Sequence, residues 1–471
     1  MAQPKTLFLW VLLLCTAGIL VSSNGCGGGS SQVVTPPPPP PPQKIQHVIV
    51  VFQENRTPDN LFQDPKLIQA GADIVQSGLN SKGQNIPLTP ISLAGTYDLS
   101  HSHDSFIAMY DGGKMDGADK VQVLCKGMPN CPPPNPQFKY ITQSEVQPYF
   151  ALAETYTFGD RMFQSNQGPS FPAHQFIISG TSAPSAPGDP LSNWFAADNP
   201  AGIPLAGQNT GCTAPPQESV LLIDPAGAES PAYPCYDHPT LTDLLDTKGI
   251  SWRYYTPTAG LLWTGPNAIQ HICGPNNPPP NATACVGSDW VNNVVINQKQ
   301  VLTDITGGQL PSVSWVIPDG ASSDHAGLGD QGLGPSWVAS IVNAVGTSPY
   351  WANTAIIITW DDWGGWYDHV APKIINSYEY GFRVPLIVVS PYAKAGYISK
   401  VTHDFGSILK YIETVFSLPT VSPGYADTVA DDLSDCFDYT QTPLVFKTIP
   451  AQVDAKHFLD DKTPPTDPDD D

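Results

Sequence analysis

Residues 45–53 read IQHVIVVFQ and run straight into Glu54-Asn55-Arg56. Between Val48 and Phe52 no polar residue interrupts the run. A half-buried strand alternates apolar and polar side chains, so an unbroken β-branched run of this length predicts a strand covered on both faces. The pattern recurs at 354–359 (TAIIIT), which continues into Trp360-Asp361-Asp362, and at 384–389 (VPLIVV), which ends at Ser390-Pro391. Residues 250–255 (ISWRYY) and 311–317 (PSVSWVI) are expected to be further strands. Helical periodicity lies between them, at 335–345 and at 407–416, where Ile408, Leu409, Ile412 and Phe416 share one face. Strands alternating with helices predict an α/β fold, a three-layer α/β/α sandwich around a mostly parallel sheet. Ligands of such sheets bind at the carboxyl ends of the strands. Two of the strongest strands end there in acidic clusters, so that edge is where chemistry is expected.

Composition narrows the function classes. The 471 residues are 41% hydrophobic and 10% aromatic, enough to build a sizeable core and to exclude global disorder. Lys and Arg number 21 against 43 Asp and Glu, a formal net charge of −22. A surface this acidic repels a polyanion, which excludes nucleic-acid binding through phosphate contacts. An anionic substrate would need local compensation, most simply by a bound cation. The 51 prolines and 40 glycines predict long loops around a compact centre.

The chain divides by composition. Residues 1–26 read as a signal peptide, with Lys5 as the positive n-region and an apolar stretch at 7–21. The Gly25-Cys26 step resembles a lipobox, although Ser23 stands where Leu is usual, and it leads us to expect a lipid anchor on Cys26, with simple cleavage nearby as the alternative. Residues 27–44 are a Gly/Ser/Pro-rich tether, with prolines throughout 36–42. The catalytic domain is expected over 45–450, and 451–471 as an acidic, solvated tail. Six of the cysteines fall as near neighbours around loops, so the expected disulfides are Cys125–Cys131, Cys212–Cys235 and Cys273–Cys285, leaving Cys436 over. This usage suits an exported protein.

Several residues have the chemistry for a site. Glu54, Asn55, Asp361 and Asp362 offer oxygen donors to a divalent cation, and adjacent carboxylates raise each other's pKa unless a cation compensates. Read singly, each is an ordinary loop-capping residue. Ser170 stands in Gly168-Pro169-Ser170, a turn context outside any GxSxG elbow, so activation by a metal suits it better than a Ser-His-Asp triad. His101, His325, His369 and His271 sit in polar loop contexts. The absence of HExxH, P-loop and GxGxxG patterns argues against a zincin, an NTPase and a dinucleotide enzyme.

Together, HVIVVFQENRTPDNLF, DLSHSHDSFIAMYDGGKMDG, QSNQGPSFPAHQFIISGTS, TAIIITWDDWGGWYDHV and YGFRVPLIVVSPYAKAGYISKVTHDFGSILKYIE resemble, in order, motifs of the bacterial phosphoesterase family that contains non-haemolytic-type phospholipases C and related acid phosphatases. The resemblance implies an alkaline-phosphatase-like fold. It implies one divalent metal ion of unspecified identity held by Glu54, Asn55, Asp361 and Asp362, and a nucleophile at Ser170. By the same resemblance His101 and His325 contact phosphate oxygens or the leaving group, and His369, in a Tyr-Asp-His-Val segment, joins them as a catalytic candidate. Ser170 and Asp362 resemble the acid phosphatases, where the phospholipases often have Thr and Glu. The expected partner is therefore a phosphate ester, either a phospholipid headgroup or a phosphomonoester. Trp252, Tyr254, Tyr255, Trp263, Trp363 and Trp366 are available to line a choline-sized pocket, although core packing is the commoner role. A sulfatase-like reading is disfavoured because Ser170-Phe171-Pro172-Ala173-His174 lacks the required Arg. A surface-anchored binding lipoprotein without turnover is the competing class.

Overall fold

The structure is a computed structural model that describes residues 44–466 apart from 95–96, 126, 202–208 and 328–330. The signal-peptide, lipid-anchor and tether expectations therefore lie outside the described residues, except for Lys44.

Eight strands form the central sheet: β1 (His47–Gln53), β2 (Thr157–Gly159), β3 (Trp252–Thr256), β4 (Val294–Ile296), β5 (Val313–Val316), β6 (Thr354–Trp360), β7 (Leu386–Val389) and β8 (Tyr397–Ser399). Their order is β4-β3-β5-β1-β6-β7-β2-β8. All five strands read from the sequence are present in it. Every adjacent pair is parallel except those made by β7, which runs antiparallel to both β6 and β2. The chain between β6 and β7 contains no helix, and an antiparallel neighbour needs only a loop to reach it. That loop begins with Asp361-Asp362.

The main helices are α1 (His103–Tyr110), α2 (Gln147–Thr155), α3 (Ser170–Ser179), α4 (Gly334–Gly346), α5 (Phe405–Phe416) and α6 (Ala455–Asp460). α2, α4 and α6 pack together, and α3 packs against α5. The pleat shows that these are opposite layers. Phe52 of β1 meets the rings of His174 on α3 and Phe405 on α5, whereas Trp360, next to Gln53 in register, meets Tyr149 on α2. Every residue of β6 is buried, as continuous apolar runs require when both faces are covered. No helix among the described residues is long and apolar enough to cross a membrane.

All three expected disulfides are present, and Cys436 is a buried free thiol. The expected solvated tail is corrected. Asp454 caps α6, Phe458 is buried with its ring 5.2 Å from that of Trp337, and Asp461 pairs with Lys299 at 3.0 Å. The acidic composition hid one apolar stripe that the body of the protein covers, so the folded region extends well past residue 450.

Candidate active site

The parallel register of β1 and β6 pairs Gln53 with Trp360, so the two strands end level. Glu54 and Asn55 therefore lie beside Asp361 and Asp362. Asn55 adopts a left-handed backbone (φ 62°), a conformation Asn tolerates better than most residues, and its N–H donates to Asp361 Oδ1 at 2.9 Å. Gly364 closes the turn from the other side. Its φ is +62°, and a Cβ there would stand 2.3 Å from the Asn55 carbonyl oxygen.

Ser170 is the first residue of α3. The Phe171 N–H beside it is held by Asn199 Oδ1 at 2.9 Å, which fixes the start of the helix. The Ser170 hydroxyl donates to Asp362 Oδ2 at 3.4 Å, and the Gly364 N–H donates to Asp362 Oδ1 at 2.6 Å. One turn along α3, His174 shares the Ser170 face of the helix. Its Nε2 lies 3.4 Å from Glu54 Oε1, and its Nδ1 lies 3.3 Å from the Tyr254 hydroxyl. Donor atoms of Glu54, His174 and Asp361 all lie within 4.8 Å of one another.

His101 borders this group. Its Nδ1–H donates to the Leu99 carbonyl at 2.9 Å, so its Nε2 accepts from Asn55 Nδ2 at 3.2 Å; the same Nε2 is 4.0 Å from Asp362 Oδ2. His325 stands with its ring 5.8 Å from that of His101, its Nδ1–H directed at the Ala326 carbonyl at 2.6 Å. The preceding Asp324 anchors that loop by accepting from Tyr149 Oη at 2.7 Å and Trp360 Nε1 at 2.9 Å, and burial pushes its carboxyl up to about 6.

Glu54, Asn55, Asp361, Asp362, Ser170, His101, His174 and His325 are all fully buried. Three carboxylates gathered out of water are costly unless paired or on a metal. Asp361 Oδ2 and Asn55 Oδ1 are buried oxygens with no hydrogen-bond partner among the described residues. A cation-binding cradle has this donor chemistry, so the residues fit a divalent metal.

A family model described as the phosphoesterase family matches residues 45–419. The chain belongs to the phosphoesterase family. Similar members include the non-hemolytic phospholipase C of Pseudomonas aeruginosa, 23% identical over 84% of this chain and 57% of that protein. Phospholipase C A of Mycobacterium tuberculosis is 23% identical over 85% of this chain and 78% of its own length. The chain thus spans little more than half of the Pseudomonas phospholipase. A solved alkaline phosphatase superfamily protein from Vibrio parahaemolyticus aligns over 83% of this chain and 70% of that one at 11% identity, with a TM-score of 0.34.

Within this phosphoesterase, seven of the eight expected site residues gather at the ends of β1 and β6. His369 does not join them. Its Nδ1 lies 2.7 Å from Asp59 Oδ2 and its Nε2 lies 3.1 Å from Asp73 Oδ1, while Arg383 binds Asp368 beside it. Both His369 ring nitrogens lie on carboxylates, in a group with Asp59 and Asp368 that is separate from the cradle. His271 bridges Asp237 and Asp243 near the surface. The six aromatics proposed for a headgroup pocket are all buried, and the Trp366 face is already occupied by the Arg56 guanidinium at 5.1 Å. His174 was missed. Its signal was present, because a helix beginning at Ser170 places the residue four further on at the same face.

Proposed function

We propose that the chain is an exported, metal-dependent phosphoesterase that uses Ser170 as its nucleophile and passes through a phosphoserine. The observation that carries this reading is the contact between Ser170 Oγ and Asp362 Oδ2, beside the oxygens of Glu54, Asn55 and Asp361. Glu54, Asn55, Asp361 and Asp362 would hold the metal. When bound there, a divalent cation acidifies a neighbouring hydroxyl and offsets the charge of a phosphate group.

The chain's own groups do the rest. Asp362 accepts the Ser170 proton and aims Oγ along one line. The Ser170 oxygen forms the bond to phosphorus as the ester oxygen leaves. His325, carrying a proton on Nε2, supplies it to the departing alcohol. Water then enters on the vacated side and its oxygen bonds to phosphorus as the P–Oγ bond breaks; the same histidine takes the water's proton, Asp362 returns its proton to Ser170 Oγ, and phosphate or a phosphorylated headgroup is released. The three disulfides suit an oxidising compartment, which supports export. Lipidation of Cys26 would hold the domain at a membrane.

Hydrolysis of p-nitrophenyl phosphate and p-nitrophenylphosphorylcholine by the full chain tests the reading, with and without EDTA and beside Ser170→Ala. Activity lost in both cases supports it, and the preferred ester separates a phosphomonoester from a phospholipid headgroup. Both esters remaining intact across added divalent metals would turn the reading toward a binding lipoprotein.

A further inference from the structure

Tyr254 has three polar neighbours and only one proton. Its hydroxyl donates to the Trp263 carbonyl at 2.9 Å and accepts from the Gly265 N–H at 3.3 Å. A carbonyl oxygen cannot donate, so the hydroxyl proton is committed to Trp263. Toward His174 Nδ1, 3.3 Å away, Tyr254 therefore presents a lone pair, and Nδ1 carries the hydrogen. The other nitrogen, Nε2, is the one aimed at Glu54 Oε1, 3.4 Å away, in the cradle shared with Asp361. The Phe52 ring packs edge-on against the imidazole, the centroids 5.3 Å apart. A histidine whose remote nitrogen is tied down and whose near nitrogen is turned toward carboxylates is arranged as metal-ligating histidines are, with a second partner fixing the tautomer.

We infer that His174 Nε2 is a nitrogen ligand of the metal held by Glu54 and Asp361, with Tyr254 as its positioning residue, and that the site takes a borderline first-row transition ion in preference to Mg2+ or Ca2+. The inference deepens the proposed function and rests on its metal site. The chemical ground for the preference is the donor set. Mg2+ and Ca2+ take oxygen ligands almost throughout, whereas imidazole suits Zn2+ and its neighbours. Glu54, Asn55, Asp361 and Asp362 alone would form an all-oxygen site. A pre-set imidazole changes its class.

The test is metal binding to the full chain stripped with chelator, read by calorimetry and by the rise in Tm on adding Zn2+, Mg2+ or Ca2+ alone. The visible spectrum of the Co2+ form is recorded alongside. We expect Zn2+ to bind far more tightly than Mg2+ or Ca2+. His174→Gln should weaken Zn2+ by about 10–100-fold and shift the Co2+ bands. Tyr254→Phe, which keeps the ring and loses only the hydroxyl, should weaken Zn2+ by about 10-fold with the Co2+ spectrum retained at saturation. Unchanged Zn2+ affinity and Co2+ spectrum in His174→Gln, or Mg2+ or Ca2+ binding at least as tightly as Zn2+, would overturn the inference and leave the metal site standing. Failure of every cation to bind the wild-type chain would overturn both together.

Discussion

Asn55 Nδ2 lies 3.2 Å from His101 Nε2, and this contact decides which end of the Asn55 carboxamide faces the buried carboxylates. The Leu99 carbonyl holds the hydrogen on His101 Nδ1. Nε2 can then only accept from Asn55, which turns Oδ1 toward the cradle. A backbone carbonyl thus orients a metal-type oxygen through two side chains. His101→Ala removes that orientation and opens the pocket beside Asp362. We expect kcat on p-nitrophenyl phosphate to fall by about 10²–10⁴-fold, and steady-state kinetics beside the wild type check it.

Ser170→Ala should lower turnover by at least about 10³-fold while leaving the fold intact, because the substitution removes only the hydroxyl and its long contact with Asp362. Rapid acid quenching with a radiolabelled phosphate ester should leave label on the wild-type protein. Label retained by the alanine variant would refute the phosphoserine at this position.

Gly364→Ala tests the turn that joins the two acidic strand ends. An alanine there meets a left-handed backbone and a Cβ 2.3 Å from the Asn55 carbonyl oxygen. The expected loss is about 2–3 kcal/mol of stability, read as the shift in a urea midpoint at unchanged slope. Gly71→Ala, also left-handed but with no atom within 4 Å, should lose less.

His271 predicts a pH dependence of stability. Burial lowers its pKa, but Asp243 and Asp237 outweigh burial and raise it to about 9 from an ordinary value of 6.5. A histidine with a raised folded-state pKa binds its proton more tightly in the folded chain. Its contribution is therefore complete below about pH 6.5 and is lost as pH rises through about 9. Tm measured from pH 6 to 10 should fall more steeply for the wild type than for His271→Gln.

Closing the loop between Cys212 and Cys235, 23 positions apart, restricts the unfolded chain. Replacing both cysteines by serine should cost about 3 kcal/mol on chain-entropy grounds, measured by denaturant unfolding against the wild type.

Much of this fold was legible because its signals are local. A run such as TAIIIT needs no distant partner to declare itself a covered strand, and the polar residues that end it declare the edge where ligands bind. The near-neighbour cysteines were legible for the same reason, since short loops bring them together whatever surrounds them. Helix-period reading placed α4 and α5 to within about two residues, the ordinary uncertainty of helix ends. Residues 451–471 misled because composition was read in place of pattern: Phe458 is one apolar residue among acids, and its burial depends on Trp337 being there to receive it.

By itself, then, the sequence determined the α/β class, the strand edge where a site is expected and the residue types available for phosphate-ester chemistry. Tertiary structure alone decided which of those residues meet. The Asn55–Asp361 bond joins positions 306 apart, and it exists because β1 and β6 pair in a register that leaves their ends level. The same long-range packing sets both His369 nitrogens on Asp59 and Asp73, and places His174 between Glu54 and Tyr254. A side chain's chemistry is written in its own residue. Its partners are chosen by segments that are distant in the chain, and only the folded backbone fixes those distances.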